Sequence, residues 1–151
     1  MAKAMKLEKL MLDVKNARDA HIDERLRSNT MIWINTVRPD GRPHSAAVWF
    51  LWDGSKFFIF SMPNTQKVRN LRQNTNVVLA LDDTKNGDDV IQVEGKAELL
   101  ENNSGVSATL PAFVAKYDRM FKSMGSTPEA MAAEYSQAIR ITPTKFLAPV
   151  E

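Results

Sequence analysis

Hydrophobic positions recur with two different periods along this chain of 151 residues, and the changes of period predict its elements. Leu7, Leu10, Met11 and Val14 fall at i, i+3, i+4 and i+7, the template of an amphipathic helix, and Ile22 and Leu26 continue a weaker version towards Arg27. From Met31 the pattern changes to strands. MIWINTV (31–37) is rich in β-formers and runs into a turn built from Pro39, Asp40 and Gly41. PHSAAVWFLW (43–52) is the next strand and ends at the Asp53-Gly54 hairpin signal, after which KFFIFS (56–61) returns. Three strands joined by two tight turns predict an antiparallel meander. SMPNTQK then opens a short helix, VVLAL (77–81) is a fourth strand, and the polar loop DDTKNGDD leads to a fifth, VIQVEGKAEL.

The C-terminal third returns to helix. Phe113, Tyr117, Met120, Phe121 and Met124 share one helical face, with Gly125 as a stop, and Thr127-Pro128 caps and starts another helix. AIRITP (138–143) alternates Ile139 and Ile141 inward as a last strand. The expected fold is therefore α+β, mainly β. It is a single domain over 1–151, with six mainly antiparallel strands curled into a barrel and helices at its margins. Val48-Trp49-Phe50-Leu51-Trp52 places bulky apolar residues on both faces of one predicted strand. The barrel interior covers one face. The other needs a helix, a ligand or another subunit, and a homodimer interface including this strand is the expectation, with local helices as the alternative.

Composition removes several kinds of chemistry. The 44% hydrophobic and 25% charged fractions are ordinary for a globular protein, and 151 residues suffice for one well-packed domain. The absence of Cys excludes thiol catalysis, disulfides and cysteine metal sites. A formal charge of +2 argues against wholesale nucleic-acid binding, so any anion site must be local. No segment has the apolar length of a membrane span, and Lys9, Asp13 and Lys15 interrupt what would be the apolar core of a signal peptide. A cytoplasmic location is the expectation, with no membrane or nucleic-acid partner.

Conventional catalytic motifs are missing. His21 and His44 lack metal-ligand spacing, and His44, following a turn, reads as an exposed strand residue. There is no G-x-S-x-G, Walker loop or G-x-G-x-x-G. Asp82-Asp83 and Asp88-Asp89 sit in a Gly/Asn/Lys loop and read as solvated rather than as a cation site, so no metal is expected. If the chain is an enzyme, an organic cofactor carries the chemistry. SMPNTQKVRNLRQN (61–74) is where one would bind. Asn64 or Thr65 is the candidate helix cap and Val68/Leu71 the buried side, while Lys67, Arg69 and Arg72 crowd an end that free N–H groups and the helix dipole already make positive. Ser61 and Thr65 add hydroxyls. Either a phosphate sits among these groups, or the cations are a solvated face.

The ordered combination of T-V-x-x-D-G-x-P, V-W-F-x-W-D-G, S-x-P-x-T-x-K-x-R-N-L-R and an apolar strand ending in Asp-Asp resembles the split β-barrel proteins of the pyridoxamine-phosphate-oxidase-like superfamily. Within it, the resemblance is to the branch of deazaflavin (coenzyme F-420)-dependent oxidoreductases. It is close over residues 20–100 and looser to YSQAIRITPTKF. The resemblance implies a Greek-key-type split barrel and a flavin or deazaflavin ring lying against Ala46, Ala47, Val48 and Trp49, largely through backbone contacts. Phe60 and Ser61 follow on the neighbouring strand, the phosphate meets Thr65 and Lys67, and a second subunit completes the pocket. Many relatives carry Arg at the position of Thr65, which places more of the phosphate binding on Lys67; close relatives carry Pro at the position of Ala47, a departure that bears on the local strand geometry.

The implied activity is hydride transfer to a small organic substrate, with no side chain standing out as an obligatory acid. An FMN-dependent oxidoreductase is the runner-up. A true pyridoxamine-phosphate oxidase is disfavoured because ITPTKFLAPVE lacks the Arg-bearing substrate motif. A non-catalytic flavin-binding protein on the same fold is the alternative of another class.

Overall fold

Asn16 sets the start of the first described helix, its Oδ1 accepting from the N–H groups of Arg18 (2.9 Å) and Asp19 (3.3 Å). The computed structural model describes residues 12–82, 86–101 and 106–148. Helix α1 (Ala17–Ser28) buries Ile22 and Leu26 completely. Val14 precedes the cap and is exposed, so the periodicity expected from Leu7 to Leu26 is not one continuous helix; Leu7, Leu10 and Met11 lie outside the described residues.

Strands β1 (Ile32–Val37) and β2 (Pro43–Val48) form the first hairpin. Gly41 turns it at φ +89°, a conformation that side-chain-bearing residues rarely adopt, and its N–H donates to the Arg38 carbonyl at 2.8 Å. The expected second strand does not run on to Trp52. It stops at Val48, and a short β3 (Leu51–Trp52) forms after a break at Trp49-Phe50. With β4 (Phe57–Ser61), β5 (Asn76–Leu81), β6 (Ile91–Leu100) and β7 (Gln137–Leu147), the sheet has seven strands rather than six, in the order β2-β1-β5-β6-β7-β4-β3. All pairings are antiparallel. The three-strand meander is therefore replaced by a different topology. β2 and β3, consecutive in the chain, stand at opposite ends of the strand order, and the Trp49-Phe50 step joins those ends in a curled half-barrel with flanking helices.

The break has a local cause. The Phe50 N–H donates to the Tyr117 hydroxyl (2.8 Å) and its carbonyl accepts from Lys116 Nζ (2.9 Å), so side chains of helix α3 (Val106–Met124) replace ladder partners there. One core fills the curl, from Ile34, Leu79, Val93, Ile139 and Ile141 to Val68 and Leu71 of helix α2 (Gln66–Leu71). A second lies on the other side of β4 and β7. There Phe60 and Ala138, directly paired in register, meet Phe113, Tyr117 and Phe121 of α3 and Met131 of α4 (Pro128–Glu134). Two cores explain why all five residues of β4 are buried, where a half-covered strand would alternate.

Glycine is needed at one sheet position. A Cβ on Gly95, at the register shift between β6 and β7, would lie 2.9 Å from both Ile141 Cγ2 and the Thr142 carbonyl oxygen. Gly95→Ala is expected to cost about 1–3 kcal/mol through overpacking, read as a lower urea midpoint at unchanged slope; an unchanged midpoint contradicts this account.

The DDTKNGDD loop is not wholly solvated. Asp89 lies 2.8 Å from His21 Nε2 and 2.7 Å from Arg25 Nη1, tying the loop to α1, while Asp83 is outside the described residues. Among the described residues there is no His/Cys/Asp/Glu group able to hold a metal, and no helix is long and apolar enough to cross a membrane.

Candidate active site

A cavity of about 350 Å³ opens where the end of β2 meets the second core. Five of the eight residues implied by sequence line it: Ala47, Val48, Trp49, Phe60 and Lys67. Strand β2 brings Ala47 and Val48, the break after it Trp49, strand β4 Phe60, and α2 brings Lys67. Ser61 and Thr65 stand behind Lys67. Ser61 is buried, shares a 3.1 Å hydrogen bond with the Thr65 hydroxyl, and Lys67 Nζ donates to that same hydroxyl at 3.4 Å. Ala46 does not line the cavity: it packs against the inner core, as does Val48 two residues on, which lies nearer the strand end and also reaches the cavity.

Thr65 occupies the cap position of α2, but its hydroxyl makes no capping bond, and a helix of six residues carries a smaller summed dipole than a long one. The electrostatics of the site therefore rest on side chains. Lys67 is half-buried, and its desolvation lowers its pKa below the ordinary lysine value. His44, expected to be exposed, is half-buried, with Nδ1 sealed from solvent and without a hydrogen-bond partner. Burial lowers its pKa below the usual 6.5, and the charges of Arg38, Lys67 and Arg69 push in the same direction. These cations rest on neutral acceptors. Arg38 donates to the Pro43 carbonyl (2.8 Å), Arg69 to Gln66 Oε1 (2.7 Å) and to the Asn64 carbonyl. Among the described residues, no ion pair includes Lys67, Arg38 or Arg69. Lys67, Arg38 and Arg69 form a cluster of positive charge beside a neutral histidine, with the Asp40 carboxylate interacting at its Arg38 edge, and the result is a local positive patch in a nearly neutral protein.

Asn70 fixes the helix that carries Lys67. It is completely buried, donates to Thr36 Oγ1 of β1 at 2.9 Å and accepts from Gln66 Nε2 at 2.7 Å. The opposite wall was not visible as a wall in the sequence. Phe113 and Phe121 of α3, with Ser126, Met131, Glu134 and Tyr135, complete the cavity. The Tyr117 ring stacks on Trp49 with centroids 4.5 Å apart and planes 8° from parallel, and Phe121 meets the same indole edge-on at 5.7 Å. The available signal was the aromatic row Phe113, Tyr117, Phe121 at four-residue spacing; nothing in it named Trp49 as partner. Burial raises the Tyr117 pKa, so its hydroxyl stays a neutral hydrogen-bonding group, and pushes that of Lys116 down to about 8.

A family model described as pyridoxamine 5'-phosphate oxidase matches residues 19–148, which includes every element around this cavity. The chain belongs to the pyridoxamine 5'-phosphate oxidase family. Among solved structures, an F-420 reductase is 28% identical, with a TM-score of 0.65 over 83% of this chain and 94% of that one. General stress protein 26 from Bacillus anthracis is 24% identical (TM-score 0.63, 86% and 97% covered). A heme storage protein from Vibrio cholerae is 15% identical (TM-score 0.66, 85% and 92% covered). At those identities the last two show the fold alone. A search of curated proteins finds no match. The pyridoxamine 5'-phosphate oxidase family includes flavin-binding oxidoreductases, and the apolar cavity with a cationic end lies on this family's barrel.

Proposed function

We propose that this chain binds a deazaflavin, coenzyme F-420, and serves as a reductase that passes hydride to a small organic substrate, as a cytoplasmic homodimer whose second subunit closes the cavity. One observation carries this: an apolar cavity lined by Lys67, which makes no ion pair among the described residues and shares its positive surroundings with Arg69 and Arg38. The 350 Å³ volume lies within the range of small-molecule pockets, and the donor set suits a phosphate. Lys67, backed by Thr65 and Ser61, would hold that phosphate. The backbone from Ala46 to Trp49 would lie along the ring, and Phe60, Phe113 and Phe121 would keep water from it. A reduced deazaflavin supplies hydride when bound, and the chain contributes position and exclusion of water.

The acidic tail of coenzyme F-420 favours it over FMN, because Arg69 and Arg38 continue the positive cluster beyond Lys67. Support for the dimer comes from the bare outer face of β1. Trp33 is 52% exposed there, flanked in register by Ala47 of β2 and Ala80 of β5.

Fluorescence titration of the purified protein with oxidised coenzyme F-420 and with FMN tests this function. The deazaflavin is expected to bind at least about tenfold tighter, since several exposed charge pairs of about 0.2–1 kcal/mol each add to its affinity, and that advantage should shrink as salt is raised. Preference for FMN would assign the chain to flavin chemistry, and binding of neither would overturn a cofactor role.

A further inference from the structure

Lys67 is not an ordinary surface lysine. It is half-buried on the lining of the cavity, no ion pair among the described residues includes it, and burial lowers its pKa. Desolvation without a counter-ion disfavours the ammonium, and losing the proton relieves that cost. The hydrogen bonds around it leave the amine available. The Ser61 hydroxyl donates to the Met62 carbonyl at 2.8 Å, so the Thr65 hydroxyl is the donor in the 3.1 Å pair between them. Thr65 Oγ1 then accepts from Lys67 Nζ at 3.4 Å. This chain takes one N–H of the amine and offers it no proton, so the lone pair of the neutral form stays unused by it. Trp49, Phe60, Phe113 and Phe121 line the same cavity. A desolvated amine on an apolar wall is an activated nucleophile towards carbonyl compounds.

We infer that Lys67 of the cofactor-free chain is a covalent capture site for aromatic aldehydes. The lone pair of the neutral amine adds to the carbonyl carbon, and the two amine protons leave with the carbonyl oxygen as water. A C=N bond replaces C=O, and nothing is oxidised or reduced. The aromatic side chains of the cavity receive the ring. The inference goes beyond the proposed function. It rests on the same cavity but not on the deazaflavin, whose phosphate would hold Lys67 charged and close it to this reaction.

The test uses the full chain without cofactor at neutral pH, with 2-naphthaldehyde or propanal as probe and cyanoborohydride to reduce each imine to a stable secondary amine. Peptide mapping measures the adduct at every lysine, separately from that on the α-amino group. With 2-naphthaldehyde, Lys67 is expected to carry at least about threefold more adduct than any other lysine, a modest gain for an activated amine with the ring held beside it. Propanal has no ring to hold, and its preference for Lys67 should be smaller. Lys116 is the internal control for pKa alone. Burial pushes its pKa down to about 8, but its Nζ donates to the Phe50 carbonyl at 2.9 Å and sits 3.8 Å over the Phe50 ring, off the cavity lining. Lys67→Arg keeps a cation that forms no imine, and it should lose the extra adduct while the other lysines react as before. Adduct spread evenly over the lysines, adduct highest at Lys116, or an equal preference with propanal would overturn the inference. A chain that binds coenzyme F-420 yet shows no preferred adduct at Lys67 refutes the aldehyde site alone. Preferred labelling of Lys67 in a chain that binds neither cofactor refutes the proposed function alone.

Discussion

Lys67→Ala is expected to weaken binding of coenzyme F-420 or FMN by about ten- to hundredfold, the loss of a charge-assisted hydrogen bond of about 1.5–3 kcal/mol to a partly desolvated phosphate. The same substitution should leave the fold as stable as before or slightly more so. Lys67 is half-buried without a counter-ion among the described residues, and burial holds its pKa below the ordinary value. The folded state thus binds the Lys67 proton less tightly than the unfolded chain does. Its contribution to stability increases as pH rises through the folded pKa towards the unfolded value, and is least favourable below both. A residue that costs stability when the ligand is absent and contributes affinity when it is present marks a functional position. Parallel measurements of cofactor Kd and thermal midpoint separate the two effects. Unchanged Kd would refute the phosphate assignment, and a large fall in midpoint would reassign Lys67 to a structural role.

Tyr117→Ala is expected to be the most damaging single change to the barrel, costing about 3–5 kcal/mol for the lost ring alone. The ring is completely buried between Trp49 and Phe113, and its hydroxyl accepts the Phe50 N–H while donating to the carbonyl of Thr30 or Phe50, each at 2.8 Å. Tyr117→Phe isolates the hydroxyl. It keeps the stack but strands a buried N–H, a penalty of about 1–3 kcal/mol, or roughly 2–12 °C in thermal midpoint for a domain of this size. Because the hydroxyl pins the crossover that carries Trp49, Tyr117→Phe should also broaden or shift tryptophan emission, which a purely remote stability effect would not do. A variant as stable as the wild type would show that water accepts from the Phe50 N–H in place of the hydroxyl.

Local residues announced much of this. Period and turn chemistry in MIWINTVRPDGRP located β1, Gly41 and β2, and FFIFS located β4, because short-range backbone preferences and side-chain alternation act within a few residues. Lys67 was visible because cations near a helix start are locally unfavourable. Trp49 and Phe50 misled for the same reason. An unbroken apolar run reads as one strand, whereas the break depends on Tyr117 and Lys116, which supply hydrogen bonds from far along the chain.

His44 and Asp89 follow that pattern. An imidazole after a turn and an aspartate in a polar loop both look solvated until α2 and its cations, or α1 with His21 and Arg25, pack beside them. The sequence by itself determined an α+β chain of antiparallel strands, its turns, and a basic, hydroxyl-bearing segment at Ser61–Arg72. Only the tertiary structure decided that there are seven strands, that β2 and β3 lie at opposite ends of their order, and that α3 and α4 form the far wall of the cavity. Periodicity says which face of an element is apolar. Which distant surface covers that face is settled by packing and by the pairing of every buried polar group, and these are properties of the whole chain.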